Sequence, residues 1–175
     1  MTPVLDDVSW LLDRAATYLQ TRGEPRAARP LFERAHRSYR DRLGEDHPDT
    51  LGSAGNLAIG LRAVGEVAAA RDLDQDTLTR RRRVLGEDHP DTLTSANNLA
   101  VALRAVGEVA AARDLNQDTL ARKRRVLGED HPDTLTSANN LADDLDALGE
   151  HEQAEQWRAW ATERQADRDA RDARP

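Results

Sequence analysis

One octapeptide governs what this chain can fold into: Gly-Glu-Asp-His-Pro-Asp-Thr-Leu starts at Gly44, at Gly86 and at Gly128, a period of 42 residues. Arg42 to Arg83 and Val84 to Arg125 differ at eight of 42 positions, and a third copy keeps the same text from Val126 to Ala142 before diverging into Asp143-Asp144-Leu145-Asp146. A fainter copy stands upstream, because Gly65-Glu66, Gly107-Glu108 and Gly149-Glu150 are matched by Gly23-Glu24. A period of this length marks a stacked array in which each repeat buries its apolar face on the next and the terminal repeats are atypical.

Within one repeat the apolar spacing predicts two helices. Leu93, Ala96, Leu99, Ala100, Leu103 and Val106 follow three-and-four spacing until Gly107, and Val109, Ala112, Leu115, Thr119 and Leu120 do so until Gly128. Pro48, Pro90 and Pro132 suit a first helical turn, where a missing N–H costs nothing. Asp46 or His47 and their counterparts are candidate caps, and Asp49, Asp91 and Asp133 put negative charge at a helix N-terminus. No segment alternates with period two. The expected fold is all-α, an α-solenoid of four antiparallel helix pairs, here called the first to fourth repeats. It is expected as a single repeat domain over 1–166, with repeats at about 6–47, 48–89, 90–131 and 132–166 and a polar, disordered tail at 167–175. The second and third repeats hold no aromatic residue, so the thickest packing is expected around Trp10, Tyr18, Phe32 and Tyr39 at one end and Trp157 and Trp160 at the other.

Composition narrows the function. No apolar run approaches the ~20 residues that cross a bilayer, and the opening Met1-Thr-Pro-Val-Leu-Asp-Asp lacks the regions of a signal peptide, so a cytoplasmic protein without a membrane partner is expected. Cysteine is absent, which removes thiolate chemistry and disulfides. A net charge of -7 disfavours nucleic acid as a partner. The basic runs at Arg80 to Arg83 and Arg122 to Arg125 read as solvated faces paired with the loop acids that follow each run. The sole lysine, Lys123, lacks the glycines of a phosphate loop. His47, His89 and His131 recur once per repeat, too far apart to share an ion, and read as caps; His36 and His151 read as surface residues. No enzyme, metal or cofactor is expected.

Leu85-Gly86-Glu87-Asp88-His89-Pro90-Asp91-Thr92, Asn97-Asn98-Leu99-Ala100, Gly107-Glu108 and Ala112 resemble the tetratricopeptide repeats of the kinesin light chain type, over about Asp7 to Gln165. In bacteria such repeats resemble arrays attached to signalling ATPases, and the Arg and Ala bias suits a high-GC genome. Asp74 and Asn116 depart from the aromatic residue usual on the second helix, and Thr77 and Thr119 from the usual Ala. The resemblance implies right-handed stacking and a concave surface, lined by the first helix of each pair, that binds peptide or protein.

Carried over residue by residue, that surface comprises Asp13, Arg14 and Thr17, then Asn56, Ile59 and Arg62, then Asn97, Asn98, Val101 and Arg104, then Asn139, Asn140, Asp143 and Asp146. Asparagines can hold the backbone of an extended peptide, or equally bond neighbouring helices and hold the stack. Arg62 and Arg104 would favour an acidic ligand, and the acids at the far end would orient it. The expected function is thus a non-catalytic peptide-binding module; the alternative is a scaffold or oligomerisation element of a larger signalling assembly with an empty groove. Trp160 stands where Asp118 and Asp76 assign solvent, so its indole needs cover, from the tail, from a following domain or, the favoured reading, from a second copy in a homodimer through the last repeat.

Overall fold

The structure, a computed structural model, describes the backbone of residues 4–172 and the side chains of residues 8–171. Among these residues there are eight helices and no strand: α1 (Val4–Thr21), α2 (Pro25–Leu43), α3 (Pro48–Ala63), α4 (Val67–Leu85), α5 (Pro90–Ala105), α6 (Val109–Val126), α7 (Pro132–Ala147) and α8 (His151–Asp172). The contacts divide the chain, for which the sequence suggests one repeat domain, into two compact units, Met1–Leu85 and Gly86–Pro175. In the N-terminal unit α1 packs on α2, α2 on α3, α3 on α4, and α1 touches α3; in the C-terminal unit α5 to α8 repeat this pattern.

Both glycine motifs of the repeat, the Gly-Glu turn and the octapeptide, now have a physical account. Gly-Glu ends one helix and starts the next: after α3, Gly65 takes φ 86°, and the N–H groups of Gly65 and Glu66 donate to Arg62 O at 3.0 Å and Leu61 O at 2.9 Å. That is the hydrogen-bond pattern of a glycine helix stop, at a φ other residues resist. In Gly-Glu-Asp-His-Pro, the imidazole caps: His47, His89 and His131 each accept through Nδ1 from the backbone N–H of Asp49, Asp91 and Asp133 at 3.2 Å, with proline at the first turn. The Glu-Asp pair catches an arginine of the second helix of the repeat that follows it. Arg80 meets Glu45 at 2.8 Å and Asp46 at 3.2 Å, and Arg122 meets Glu87 at 2.5 Å and Asp88 at 3.0 Å. Arg122's hydrogen bond holds the Asp88 carboxyl below its usual range. The basic runs thus pair with loop acids, but Arg80, Arg83, Arg122 and Arg125 take those before the repeat's first helix instead of the ones that follow each run; Arg124 reaches the following Glu129, and Lys123 is buried and donates to Asp133 O.

Each unit has its own core. Ala16, Ala28, Phe32, Leu57, Ala58, Leu61 and Ala70 fill the N-terminal unit, and Leu120, Leu135, Ala138, Leu141, Ala142, Leu145, Ala154 and Ala161 fill the C-terminal one. Phe32 is accommodated because Gly60 has no side chain, since a Cβ there would stand 2.7 Å from Phe32 Cδ2.

Three expectations are corrected. Trp10 and Tyr18 are exposed and carry the guanidiniums of Arg14 and Arg22 over their rings, and Tyr39 is half-buried, so Phe32 is the one of the four that joins the first core. His36 is half-buried, its Nδ1 3.1 Å from Ser53 Oγ, and burial, then Arg40, push its pKa down. Residues 167–172 continue α8 instead of forming a disordered tail: no glycine or proline interrupts them, and Arg171 reaches back to Asp130. Residues 173–175 of the expected tail lie outside the described residues.

Candidate functional site

The candidate residues sit on the first helix of each repeat, and most of their polar atoms are already engaged within the chain. In the N-terminal unit Asn56 of α3 donates to Asp13 Oδ2 of α1 at 2.6 Å. Burial raises the Asp13 pKa, and this bond offsets part of the rise. Thr17 bonds back to Asp13 O of its own helix. Arg62 donates to Asp74 of α4 at 2.7 Å, where Asp74 is 2% exposed. Burial pushes the Asp74 carboxyl up to about 6 in spite of Arg62. What remains open is a cavity of about 110 Å³ lined by Thr17, Gln20, Thr21, Phe32, Asn56 and Ile59. Ile59 is exposed at its rim, and the buried Gln20 Oε1 has no hydrogen-bond partner.

In the C-terminal unit Asn97 is buried and donates to Ser137 Oγ of α7 at 2.8 Å, so it ties α5 to α7. Asn98 and Val101 are half-buried, and Asn139 is exposed. Arg104 donates to the fully buried Asp144 at 2.8 Å and to Asn140 O at 3.4 Å, and lies 3.7 Å from Asp143. Burial raises the Asp144 pKa against the hydrogen bonds from Asn116 and Arg104. Asp143 and Asp146 both bind Arg158 of α8, at 3.0 and 2.5 Å. The same two positions thus carry Arg62 with Asp74 in the second repeat and Asp146 with Arg158 in the fourth, an ion pair with its signs exchanged.

These pairs engage the charges from which the sequence suggests a polarised groove. Arg62 and Arg104 neutralise buried aspartates, and the acids at the far end neutralise Arg158. The residues that sequence reasoning missed are those partners, Asp74, Asn116, Asp144 and Arg158; for Asp74 and Arg158 the signal was the sign exchange at matched positions. Trp160 is corrected too. It is half-buried against the C-terminal core, edge-on to Trp157 at 5.6 Å between ring centroids, with the Arg164 and Arg124 guanidiniums over its ring at 4.8 and 5.4 Å. Its cover comes from its own unit, which removes the reason for a dimer. Trp157 is half-buried and packs against the same core, as the packing expected at that end of the chain requires. Among the described residues no three His, Asp or Glu side chains form a group that could hold a metal ion, and no helix is long and apolar enough to cross a membrane.

A tetratricopeptide repeat model matches residues 8–49, 50–91, 92–133 and 134–161 in succession, in step with the 42-residue period. The chain belongs to the tetratricopeptide repeat family. Its fold class is the all-α solenoid of that family. No curated protein matches the chain in sequence. Among solved structures, BtubC (BKLC) from P. vanneervenii is similar with a TM-score of 0.81 and 19% identity over 96% of this chain and 67% of its own. A putative kinesin light chain of Podosopora anserina with nearly identical tetratricopeptide-like repeats gives 0.55 and 21%, covering 95% of this chain and 98% of its own. The Rap conjugation gene regulator of plasmid pLS20, in complex with the Phr* peptide, gives 0.73 and 15%, covering 93% of this tetratricopeptide repeat chain and 43% of its own. At these identities the likeness is one of fold.

Proposed function

We propose that the chain is a non-catalytic interaction module that holds an extended segment of a partner protein against the exposed faces of its first helices, α1 with α3 in one unit and α5 with α7 in the other. The observation that carries this reading is the cavity on the α1/α3 face: an apolar floor at Phe32, the exposed rim residue Ile59 and a Gln20 oxygen that nothing in the chain satisfies. A cavity of about 110 Å³ suits one aliphatic side chain of a guest. The polar groups that line the cavity, Thr17, Gln20, Thr21 and Asn56, are uncharged, as are Asn98 and Asn139 on the α5/α7 face, which favours backbone recognition over an acidic sequence. A protein of the same fold is in complex with a peptide, the kind of ligand this reading expects.

The test is selection from a displayed peptide library on the wild type and on Gln20→Ala with Ile59→Asp. Peptides enriched on the wild type and lost on the variant are the expected result. Equal recovery by both proteins, or no enrichment over bare matrix, would contradict the reading.

A further inference from the structure

A second cavity of the N-terminal unit lies away from the α1/α3 face, between α2, α3 and α4. It has a volume of about 200 Å³, with Leu51, Ala54 and Leu73 for its apolar walls and His36, Arg40 and Arg80 at its polar side. The 42-residue period allows it to be compared with the same place two repeats later in the same chain. Leu135 and Ala138 are the counterparts of Leu51 and Ala54, Leu120 that of His36, and Arg124 and Arg164 those of Arg40 and Arg80. There Trp157 and Trp160 stand where this cavity has Leu73 and Asp76, and both pack against the core cluster that contains Leu120, Leu135 and Ala138. The indole of Trp160 lies under both guanidiniums.

We propose that the cavity between α2, α3 and α4 is a binding site for an aromatic side chain of a partner polypeptide, seated on Leu51 and Ala54 and facing the guanidiniums of Arg40 and Arg80 as Trp160 faces those of Arg124 and Arg164. The size fits. A cavity of about 150 Å³ takes up a benzene ring, and drug-sized ligands need roughly 300 Å³ or more, so the space is that of one side chain. The chemistry fits as well. Arg80 is held by Glu45, Asp46 and Asp76, yet Arg164 is held in the same way by Glu129 and Asp130 and still covers a ring. Arginines fixed by acids at their edges keep their flat faces for a π system. Asp76 at the mouth can accept the N–H of an indole or the O–H of a phenol. Thr50, 2% exposed on the cavity wall, has an Oγ1 with no partner, whereas its counterpart Thr134 donates to Gly128 O at 2.8 Å.

The experiment is a titration of the whole chain with N-acetyl-tryptophanamide, followed by NMR at the His36 ring and the Leu51 and Leu73 methyl groups. Saturable shifts at these positions are expected, with affinity about fivefold above that for N-acetyl-leucinamide. A capped Gly-Trp-Gly peptide should bind at least as well, since the guest is part of a polypeptide. Asp76→Trp, which supplies the side chain the fourth repeat carries here, should abolish binding while its melting temperature stays at or above that of the wild type. If that variant does not fold, Thr77→Leu fills the cavity floor and serves the same comparison. Absence of saturable shifts, equal affinity for the leucine probe, exclusion of the tripeptide, or undiminished binding by the filled variant would each overturn the proposal.

Discussion

Replacing Asp74 by asparagine measures what the buried ion pairs cost the fold. The carboxyl is pushed from its ordinary 3.8 to about 6 by burial, and the Arg62 pairing only partly opposes this. The unfolded chain releases the proton near 3.8, so between these values the folded state holds more protons, and stability falls as pH rises through that window. At about 1.4 kcal/mol per pKa unit, the ionised group costs about 3 kcal/mol at pH 7.5 and about 1 kcal/mol at pH 4.5. Asparagine, which the third repeat carries at the matched position as Asn116, keeps the shape without the charge. Arg62, 16% exposed, retains contact with water when its partner is neutral. Asp74→Asn is therefore expected to be more stable by these amounts. With a urea slope of ~2 kcal/mol per molar, its midpoint rises by about 1.5 M at pH 7.5 and about 0.5 M at pH 4.5. Urea titrations followed by far-ultraviolet circular dichroism at the two pH values decide it. An equal shift at both, or a variant less stable than the wild type at pH 7.5, refutes the reasoning.

Other substitutions probe other contacts. Gly60→Ala puts a Cβ 2.7 Å from Phe32 and should lower stability by about 1–3 kcal/mol, largely restored when Phe32→Leu is added; a purely additive double mutant would show that the two do not meet. Lys123 is 3% exposed, donates to Asp133 O at 3.3 Å and is pushed down to about 8 by burial, so the unfolded chain holds more protons between about 8 and its ordinary 10.5 and stability should rise with pH there. As the sole lysine its amine can be titrated by NMR without overlap, and a midpoint near 10.5 would contradict its burial. Trp160→Asp should lower the melting temperature and leave the sedimentation coefficient unchanged. A wild type that dimerises where the variant does not would reinstate the interface that its cover from Arg124 and Arg164 argues against.

The helices were readable from the sequence because their signals are local. Apolar spacing, proline at the first turn and glycine at the stop placed α3 to α7 within a residue or two, and the spacing of His47, His89 and His131 marked them as caps. The candidate face was less readable because its partners are remote. Arg62 and Asp74 are brought together across a turn between helices, and Arg104 and Asp144 across two helices, so sequence proximity gave no hint of either. Comparison of repeats misled at Trp160, where acidic counterparts implied solvent; the fourth repeat fills with indole a space that the second repeat leaves open. Polar composition misled at 167–172, since a solvated helix needs no apolar stripe when nothing breaks it and ion pairs such as Arg171 with Asp130 dock it.

The central claim is that a partner segment lies on the first helices and is held by uncharged groups. Backbone amide mapping by NMR, with a library-selected peptide at 50 and 500 mM salt, tests it most directly. The account predicts perturbations gathered on α1 and α3 around Gln20, Asn56 and Ile59, on α5 and α7 around Asn98 and Asn139, or on both faces. It also predicts an affinity that changes less than about twofold between the two salt concentrations, because Arg62, Arg104, Asp143 and Asp146 are already paired. Perturbations confined to the second helices, or a binding constant that falls steeply with salt, would contradict it.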